Sequence, residues 1–370
     1  MNFKILQENL SKGLSLTDRF VSSRPQLPIL SNILFSVDKG KLKLSATNLD
    51  LGINLWLGGV VEKEGQLAVP AHELTEFVSY LPTGEISLQS ENKILKVISP
   101  KAQATFTGMD PEEFPQIPQG NEKNKLSLNS KDLSQAVSQV GFAAATDEAR
   151  PILEGIYWQF NKDGYQMVAT DGYRLSLKKV ALEKSSLKEN LSFLIPSRSL
   201  NEIVRLINED QFEVSWDKDQ NQIVFVFPNM RISSRLLDGD FPDYENIIPS
   251  ESQNIANIDK QEFLSAVKIA SVFARQAGNV VALQFQDNKL EIKADATQVG
   301  QNSATVSVKY KGEPIKIAFN YRFLLDFLNS ISKDEAEIII KMNNPESPVT
   351  FEISNDSSLL HLIMPIRTEE

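Results

Sequence analysis

The sequence predicts an α+β fold built from three copies of one unit, with antiparallel sheets that carry helices on one face. A strand followed by an amphipathic helix recurs in LAVPAHELTEFVSYL, FLIPSRSLNEIVRLI and KIAFNYRFLLDFLNSI, at intervals of about 125 residues. A second strand–helix unit precedes each of these segments, and alternating strands joined by short turns follow. Six occurrences of one half-unit are hard to obtain by chance.

The helices are predicted from their apolar spacing, which follows i, i+3, i+4, i+7 and indicates one buried face. The stripes comprise Leu74, Phe77, Val78 and Leu81; Leu200, Ile203, Val204 and Ile207; and Leu324, Phe327, Leu328 and Ile331. The helices of the preceding units run through Leu10 and Leu14, through Leu133, Val137 and Val140, and through Phe263, Val267 and Ala270. Asp259 with Glu262 has the spacing of a capping box, and Ser130 is a further expected N-cap.

A chain of 370 residues is too long for a single core of ordinary size, which favours two or three domains. The repeat divides it into three. We expect the three repeats over residues 1–120, 121–250 and 251–370.

Composition removes most enzyme classes. The chain has no cysteine and two histidines, His72 and His361, and neither histidine lies in a metal-binding pattern. Phosphate-loop and dinucleotide motifs are absent. We therefore expect no catalysis, no cofactor and no metal. The lack of a signal peptide or long apolar run favours a cytoplasmic protein, whereas a net charge of −10 argues, taken alone, against nucleic acid.

Four longer stretches carry a resemblance to a known family. They are SRPQLPILSNILF at residues 23–35, ATDGYRLSL at 169–177, LLDGDFPDYENIIP at 236–249 and MPIR at 364–367. In this order they resemble the β sliding clamp, the processivity subunit of the bacterial replicative DNA polymerase, and the resemblance covers essentially the full chain. It implies a head-to-tail homodimeric ring around double-stranded DNA, bound without sequence preference. It also implies partners that dock through short linear motifs, namely the replicative polymerase, the clamp loader and repair polymerases.

Simple geometry agrees with such a ring. Six domains with two helices each give twelve helices on an inner wall. At about 10 Å per helix, they enclose a hole of roughly 28 Å, which accommodates a B-form duplex with a layer of water. Sheets on the outside that continue across domain boundaries leave no free edge in a closed ring.

The resemblance also assigns a site for partner peptides. ATDGYRL aligns with ATNLDLG and ADATQVG of the other copies, so we expect a polar turn between two strands in all three. Only the second copy has Gly-Tyr-Arg-Leu in this turn. A well-known family member has histidine where this chain has Tyr173. We expect an apolar cleft with arginines donating from its rim. The implied residues are Leu153, Thr170, Gly172, Tyr173, Arg174, Leu175, Pro242, Ile247, Leu362, Met364, Pro365, Ile366 and Arg367.

Cations on or beside the helices are the expected DNA contacts. The first choice is Arg24, which precedes a proline in a loop and matches a DNA-contacting position of the family; the others are Arg150, Arg198, Arg205 and Lys268. Further candidates are Lys12, Arg19, Lys260, Arg275 and Arg322. Acidic residues on the same helices leave this lining near neutral and only relatively positive. For the dimer interface, the resemblance implies Ala104 and Phe106 against Val272 and Phe273.

Two alternatives stay open from the sequence. One is an enzyme that uses Asp171, Tyr173 and Arg174, although it lacks a convincing base, phosphate loop or metal cluster. The other is a monomeric, β-rich scaffold that binds peptides and never encircles DNA.

Overall fold

The computed structural model describes residues 1–22, 25–121, 124–147, 149–182, 187, 189–217, 221–298, 300–332 and 336–367. Within these residues the chain forms six α-helices and twenty-six strands, joined by turns and short 3-10 segments. Its backbone contacts define two compact units. The first comprises Met1–Ser130 with Glu202–Leu236, and the second comprises Lys131–Asn201 with Leu237–Glu370.

Each copy of the repeat contains two helices, each preceded by a strand. The first copy consists of β1 (Asn2–Leu6), α1 (Gln7–Thr17), β2 (Asn32–Asp38), β3 (Lys41–Thr47), β4 (Leu51–Leu57), β5 (Val60–Lys63), β6 (Gln66–Pro70), α2 (Ala71–Tyr80), β7 (Glu85–Glu91), β8 (Ile94–Ile98) and β9 (Gln103–Thr107). The second consists of β10 (Lys125–Asn129), α3 (Ser130–Val140), β11 (Gly155–Phe160), β12 (Gly164–Thr170), β13 (Arg174–Ala181), β14 (Leu191–Pro196), α4 (Ser197–Leu206), β15 (Gln211–Asp217), β16 (Gln222–Phe227) and β17 (Met230–Arg235). The third consists of β18 (Asn254–Asp259), α5 (Lys260–Ala274), β19 (Val280–Gln286), β20 (Lys289–Ala296), β21 (Gly300–Ser307), β22 (Lys309–Lys311), β23 (Ile315–Asn320), α6 (Tyr321–Ser330), β24 (Glu337–Met342), β25 (Val349–Ile353) and β26 (Asp356–Ile363).

The strands form four sheets. Their orders are β5-β1-β7-β8-β9, β10-β15-β16-β17-β4-β3-β2-β6, β14-β11-β12-β13-β26-β25-β24-β18-β22 and β21-β20-β19-β23. The first two sheets lie in the first unit and the last two in the second.

Two of these sheets continue from one copy into the next. Strand β4 pairs antiparallel with β17 and sets Ile53 opposite Ile232, while β13 pairs with β26 and sets Ser176 opposite His361. The strands of the central copy are therefore shared between its two neighbours. This sharing explains why the compact units divide that copy, and the boundaries at residues 120 and 250 stay a prediction.

The predicted helical stripes are confirmed at their centres. In α2, α4 and α6 the buried stripe residues are Leu74, Val78, Leu200, Ile203, Leu324, Phe327 and Leu328, and Phe77, Val204 and Ile207 are half-buried. The stripes of α1, α3 and α5 are also buried, including Leu10, Val137 and Phe263, each fully inaccessible to solvent.

Of the two expected helix caps, one is confirmed and one is wrong. The Asp259 carboxylate accepts the backbone N–H of Glu262 at 2.9 Å. Ser130 is already the first residue of α3, and its buried Oγ has no hydrogen-bond partner within the residues described here. The backbone enters α3 one residue earlier than the serine pattern suggests, a common error at helix ends.

Replacing Gly52 in β4 should destabilise the first unit. A β-carbon there would lie 2.8 Å from Cγ2 of Ile117 and 2.9 Å from Oγ of Ser233, so Gly52→Ala forces packed atoms apart. We expect the free energy of unfolding to fall by about 1–3 kcal/mol, measured by urea unfolding. Gly58→Ala is the matched control because its β-carbon meets nothing within 4 Å. Equal midpoints for the two variants would contradict the packing of Ile117 on this strand.

Candidate partner-binding site

The turn between β12 and β13 is held by its own side chains. The Thr170 hydroxyl donates to the carbonyl of Arg174 at 2.6 Å, and the Asp171 carboxylate accepts the N–H groups of Tyr173 and Arg174 at 2.9 and 3.0 Å. Gly172 has a φ of 89°, in the region that glycine adopts without steric cost. The polar β-turn expected from the sequence is thus confirmed, and it presents Tyr173 to solvent, 62% exposed.

The first copy contains the same turn between β3 and β4. The Thr47 hydroxyl donates to the carbonyl of Leu51 at 2.8 Å, and the Asn48 side-chain oxygen accepts the N–H groups of Asp50 and Leu51. Leu49 takes the place of Gly172 with a φ of 79°. The alignment of these two copies is therefore confirmed bond by bond. In the third copy the hairpin is one residue shorter, with Ala296 opposite Gly300.

An apolar cluster lies next to the turn of the second copy. Leu175 and Leu362, opposite each other on β13 and β26, are buried together with Val168, Leu177 and Tyr244. Leu153 is also buried, whereas Ile247 and Met364 are 44% and 36% exposed. The structure therefore provides a buried apolar floor beside the turn, which is one requirement of a cleft for apolar ligand groups.

The segment after β26 is fixed by its backbone. The N–H of Met364 donates to the carbonyl of Tyr173 at 2.8 Å, and the N–H of Ile366 donates to the carbonyl of Ala318 at 2.8 Å. The Arg367 guanidinium donates to Glu346 at 3.4 Å, and both side chains are largely exposed. This tail therefore connects the turn of the second copy to β23 of the third.

Arg174 does not act as a rim donor, contrary to expectation. Its side chain is 11% exposed, and its guanidinium donates to Asp171 at 3.0 Å, to Asp326 at 2.5 Å and to the carbonyl of Phe142 at 2.7 Å. It also lies over the ring of Phe323, 4.4 Å from the centroid. Arg174 ties the turn to α6 and to the segment after α3, and none of these partners was predicted.

The arginine beside the turn is Arg150, which the sequence assigned to DNA. A β-carbon on Gly172 would lie 2.7 Å from its Nη1 atom, so the guanidinium lies directly against the turn. Arg150 is half-exposed and its carboxylate partner Asp147 lies 3.8 Å away. The position of Arg150 beside this turn therefore favours a role in the candidate partner-binding site over a contact with DNA.

His361 is buried directly behind Arg174. Its ring stacks on Phe327 with centroids 5.0 Å apart, and Phe142 lies 5.4 Å away. Burial, with a smaller effect from the positive charge of Arg174, lowers the pKa of His361 to about 3. The imidazole is therefore neutral at physiological pH and serves as an aromatic core residue.

The helix-borne cations differ in their exposure. Arg198, Arg205 and Lys268 are exposed on α4 and α5, and Arg205 shares Glu202 with Arg19. Lys260 is wrong as a DNA contact, because it is 4% exposed and its ammonium donates to the carbonyl of Ile331 at 2.7 Å. Arg24 lies outside the described residues.

The expected interface residues lie on the edge strand β9 and on helix α5. Ala104 and Phe106 are half-buried on β9, which pairs with β8 alone among the residues that the structure describes. Val272 is 57% exposed on α5, and Phe273 is half-buried, with its ring near Gly300 at the start of the edge strand β21.

Among the described residues there is no cluster of three or more acidic or histidine side chains that could hold a metal ion. None of the described helices is both long enough and apolar enough to cross a membrane.

Family models of the DNA polymerase III beta subunit match the chain in three consecutive parts. The N-terminal domain matches residues 1–118, the central domain residues 127–243 and the C-terminal domain residues 245–367. The chain belongs to the DNA polymerase III beta subunit family. The family predicted from the four sequence stretches is thereby confirmed.

Relatives within the beta subunit family are named as sliding clamps. A Beta sliding clamp from Synechococcus elongatus is 31% identical over 369 residues, covering 98% of each chain. One from Staphylococcus aureus is 28% identical, with both chains covered completely. The crystal structure of the DNA polymerase sliding clamp from Bacillus subtilis matches with a TM-score of 0.95 at 27% identity, covering 100% of both chains. The predicted α+β fold of three clamp domains is confirmed.

The buried His361 makes the stability of this beta-subunit chain sensitive to acid. An unfolded histidine takes up a proton below pH 6.5, but the folded one does not until about pH 3, so stability present above pH 6.5 is lost as the pH falls. Between pH 7 and pH 5 we expect the wild type to lose about 2 kcal/mol more than His361→Phe, which keeps an aromatic ring without a titrating group. Urea unfolding at both pH values measures this difference. Parallel losses in the two proteins would mean that the folded imidazole accepts a proton.

Proposed function

We propose that this protein is a DNA sliding clamp: two chains close head to tail around duplex DNA and hold the replicative polymerase on it. The observation that carries the proposal is the ordered match of all three family domains, along a backbone that superposes on a solved sliding clamp over its whole length. The role is non-catalytic and cytoplasmic and requires no cofactor.

The ring closes, in this proposal, between β9 of one chain and β21 of the other. Among the residues that the structure describes, each is an edge strand with one unpaired side in its sheet. Pairing the two strands would satisfy the N–H and C=O groups on those sides. Val272 and Phe273 beside β21 offer an apolar surface to Ala104 and Phe106 beside the opposite edge. The contact joins two different surfaces, so it is a head-to-tail contact. It gives a closed dimeric ring only if the rotation that relates one chain to the next is 180°.

DNA is held by topology, so weak contacts are sufficient. The six helices carry equal numbers of basic and acidic side chains, whereas the whole chain has a net charge of −10. Their surface is therefore positive only relative to the remainder, which repels DNA. Phosphate contacts by Arg198, Arg205 and Lys268 carry no base information and permit sliding. Arg24 stays the first choice for a further contact.

Partner peptides dock, in this proposal, on the floor formed by Leu175 and Leu362. Exposed Ile247 and Met364 can close over apolar ligand side chains, and burying two such side chains is worth roughly 3–6 kcal/mol before costs. The arginine donors of this proposed site are Arg150 and Arg367, whose side chains are exposed, rather than the buried Arg174. Modest affinity suits partners that exchange on one clamp.

The enzyme alternative finds no support in the geometry of the turn. The Asp171 carboxylate accepts two backbone N–H groups and the Arg174 guanidinium, and that guanidinium is itself engaged by α6. Neither group is free to act on a substrate. The monomeric scaffold differs from the clamp in assembly alone, and it is tested next.

Topological binding predicts that DNA ends release the protein. Loaded onto nicked circular DNA, a dimer of twice 41.4 kDa should stay bound through gel filtration in high salt. Cutting the circle should release most of it, and blocking the cut ends with bound protein should restore retention. Retention on linear DNA with open ends, or a concentration-independent monomer in sedimentation, would contradict the ring.

The tail should be necessary for partner binding. Deleting residues 364–370 removes Met364 and the backbone bonds to Tyr173 and Ala318 while leaving β26 complete. We expect affinity for a synthetic peptide with the clamp-binding motif of the replicative polymerase to fall at least about tenfold, measured by fluorescence anisotropy. Deleting only residues 368–370 is the matched control. Unchanged affinity in the longer deletion would place the site elsewhere, provided that the dimer persists.

A further inference from the structure

The three copies contain one equivalent pair of strands at the edge of a sheet. The pairs are β2 with β6, β11 with β14, and β19 with β23, and β6, β14 and β23 are the edge strands. At the same register position they hold Leu34 opposite Ala68, Tyr157 opposite Leu194, and Ala282 opposite Ala318.

A chain segment crosses each of these edge strands at that position. The N–H of Met109 donates to the carbonyl of Ala68, that of Leu237 to Leu194 and that of Ile366 to Ala318, each at 2.8 Å. The three crossings are therefore equivalent in backbone geometry as well as in register.

In the first two copies the crossing segment goes on to cover the strand pair with a phenylalanine. Phe114 is buried with Ala68, Ile29 and Leu30, and Leu34 packs on the same cluster. Phe241 stacks on Tyr157, with ring centroids 5.1 Å apart and planes 13° apart. Both phenylalanines precede a proline, in the sequence FP.

In the third copy the equivalent position is an open groove. Ala282 and Ala318 both line a groove of about 880 Å³, and no residue of the described part of the chain fills it. Ala282 leaves room where the other copies hold Leu34 and Tyr157, and Ala318 matches Ala68 of the first copy. None of the residues assigned to the partner-peptide site lines this groove.

The far wall of the groove is already ordered. The Asn254 side chain accepts the N–H of Glu313 at 2.9 Å and donates to the carbonyl of Asn343 at 3.2 Å. The Asn343 side chain in turn accepts the N–H of Gln253 at 2.9 Å. A ligand therefore meets a fixed polar wall, which lowers the entropy lost on binding.

The open edge of β23 can pair with an extended backbone. Because the carbonyl of Ala318 points outward to Ile366, the backbone groups of Lys316, two residues away, point the same way. Within the described residues β23 pairs with β19 alone. Strand addition at such an edge supplies backbone hydrogen bonds, and a neighbouring pocket supplies selectivity.

We propose that this groove binds an extended segment of a partner polypeptide that carries an aromatic residue followed by proline. The aromatic ring lies over Ala282 and Ala318, as Phe114 and Phe241 lie over the equivalent pairs. The proline keeps the segment extended and has no N–H to satisfy. This surface is additional to the partner-peptide site and does not depend on it.

The test uses a segment of this chain as the probe. A fluorescent synthetic peptide of residues 236–249, LLDGDFPDYENIIP, is titrated with the full chain and followed by anisotropy. We expect one peptide per chain, and affinity at least about tenfold lower when the residue equivalent to Phe241 is alanine, since the ring supplies most of the buried area. The polymerase-motif peptide should not compete. Absence of saturable binding, or equal affinity of the alanine peptide, would overturn the proposal.

Variants of Ala282 test whether the peptide binds in this groove. Ala282→Tyr restores the residue of the second copy and should tighten binding several-fold through ring stacking. Ala282→Asp should weaken binding at least about tenfold, because a carboxylate would lie under the ring. Gln286→Asp is the matched charge control, on the same face of β19 and about 13 Å away.

Two outcomes would overturn this assignment. One is equal affinity of the wild type, Ala282→Tyr and Ala282→Asp, which would place the peptide elsewhere, for example on its own native position. The other is a tenfold rise in affinity after deletion of residues 368–370, which would assign the groove to the end of this chain.

Discussion

The backbone ladder between β13 and β26 is the constraint on which the proposed partner-binding site depends. It sets Leu175 opposite Leu362, and Arg174 opposite Ile363, so one register places the apolar floor, the turn and the tail that follows β26. A shift of β26 by one residue would turn Leu362 to the other face of the sheet, away from Leu175. The site therefore exists because two copies of the repeat share a sheet, and either copy alone would supply only half of it.

The same backbone serves two copies with different side chains. The turn of the first copy repeats the side-chain-to-backbone hydrogen bonds of the second, although it lacks the bond from Arg174 to Asp171. Leu49 stands for Gly172 and Gly52 for Leu175. In the second copy, Gly172 lies against the Arg150 guanidinium and Leu175 is part of the buried apolar floor. In the first copy, the position of Leu175 is Gly52, and the Ile117 side chain packs against it. The two copies thus differ by a few substitutions on a retained frame, and the proposed partner-binding site belongs to the second copy alone.

The sequence predicted those features that periodicity reports and missed those made by distant residues. Apolar spacing predicted the buried faces of all six helices because burial repeats with the helical turn. The partners of Arg174 could not be predicted, since Asp326 is 152 residues away and the Phe142 carbonyl is a backbone group. Lys260 looked like a surface cation for the same reason, because only the fold brings the carbonyl of Ile331 to its ammonium.

The buried Arg174 makes the partner-binding turn rigid rather than more stable. Removing a guanidinium from water costs several kcal/mol, and this cost is offset only because Asp171, Asp326 and the Phe142 carbonyl all accept from it. The neutral ring of His361 next to it adds no second positive charge. Each partner comes from a different element, so the turn has few alternative positions. A ligand that docks beside Tyr173 therefore meets an ordered surface, and little further entropy is lost in ordering the protein.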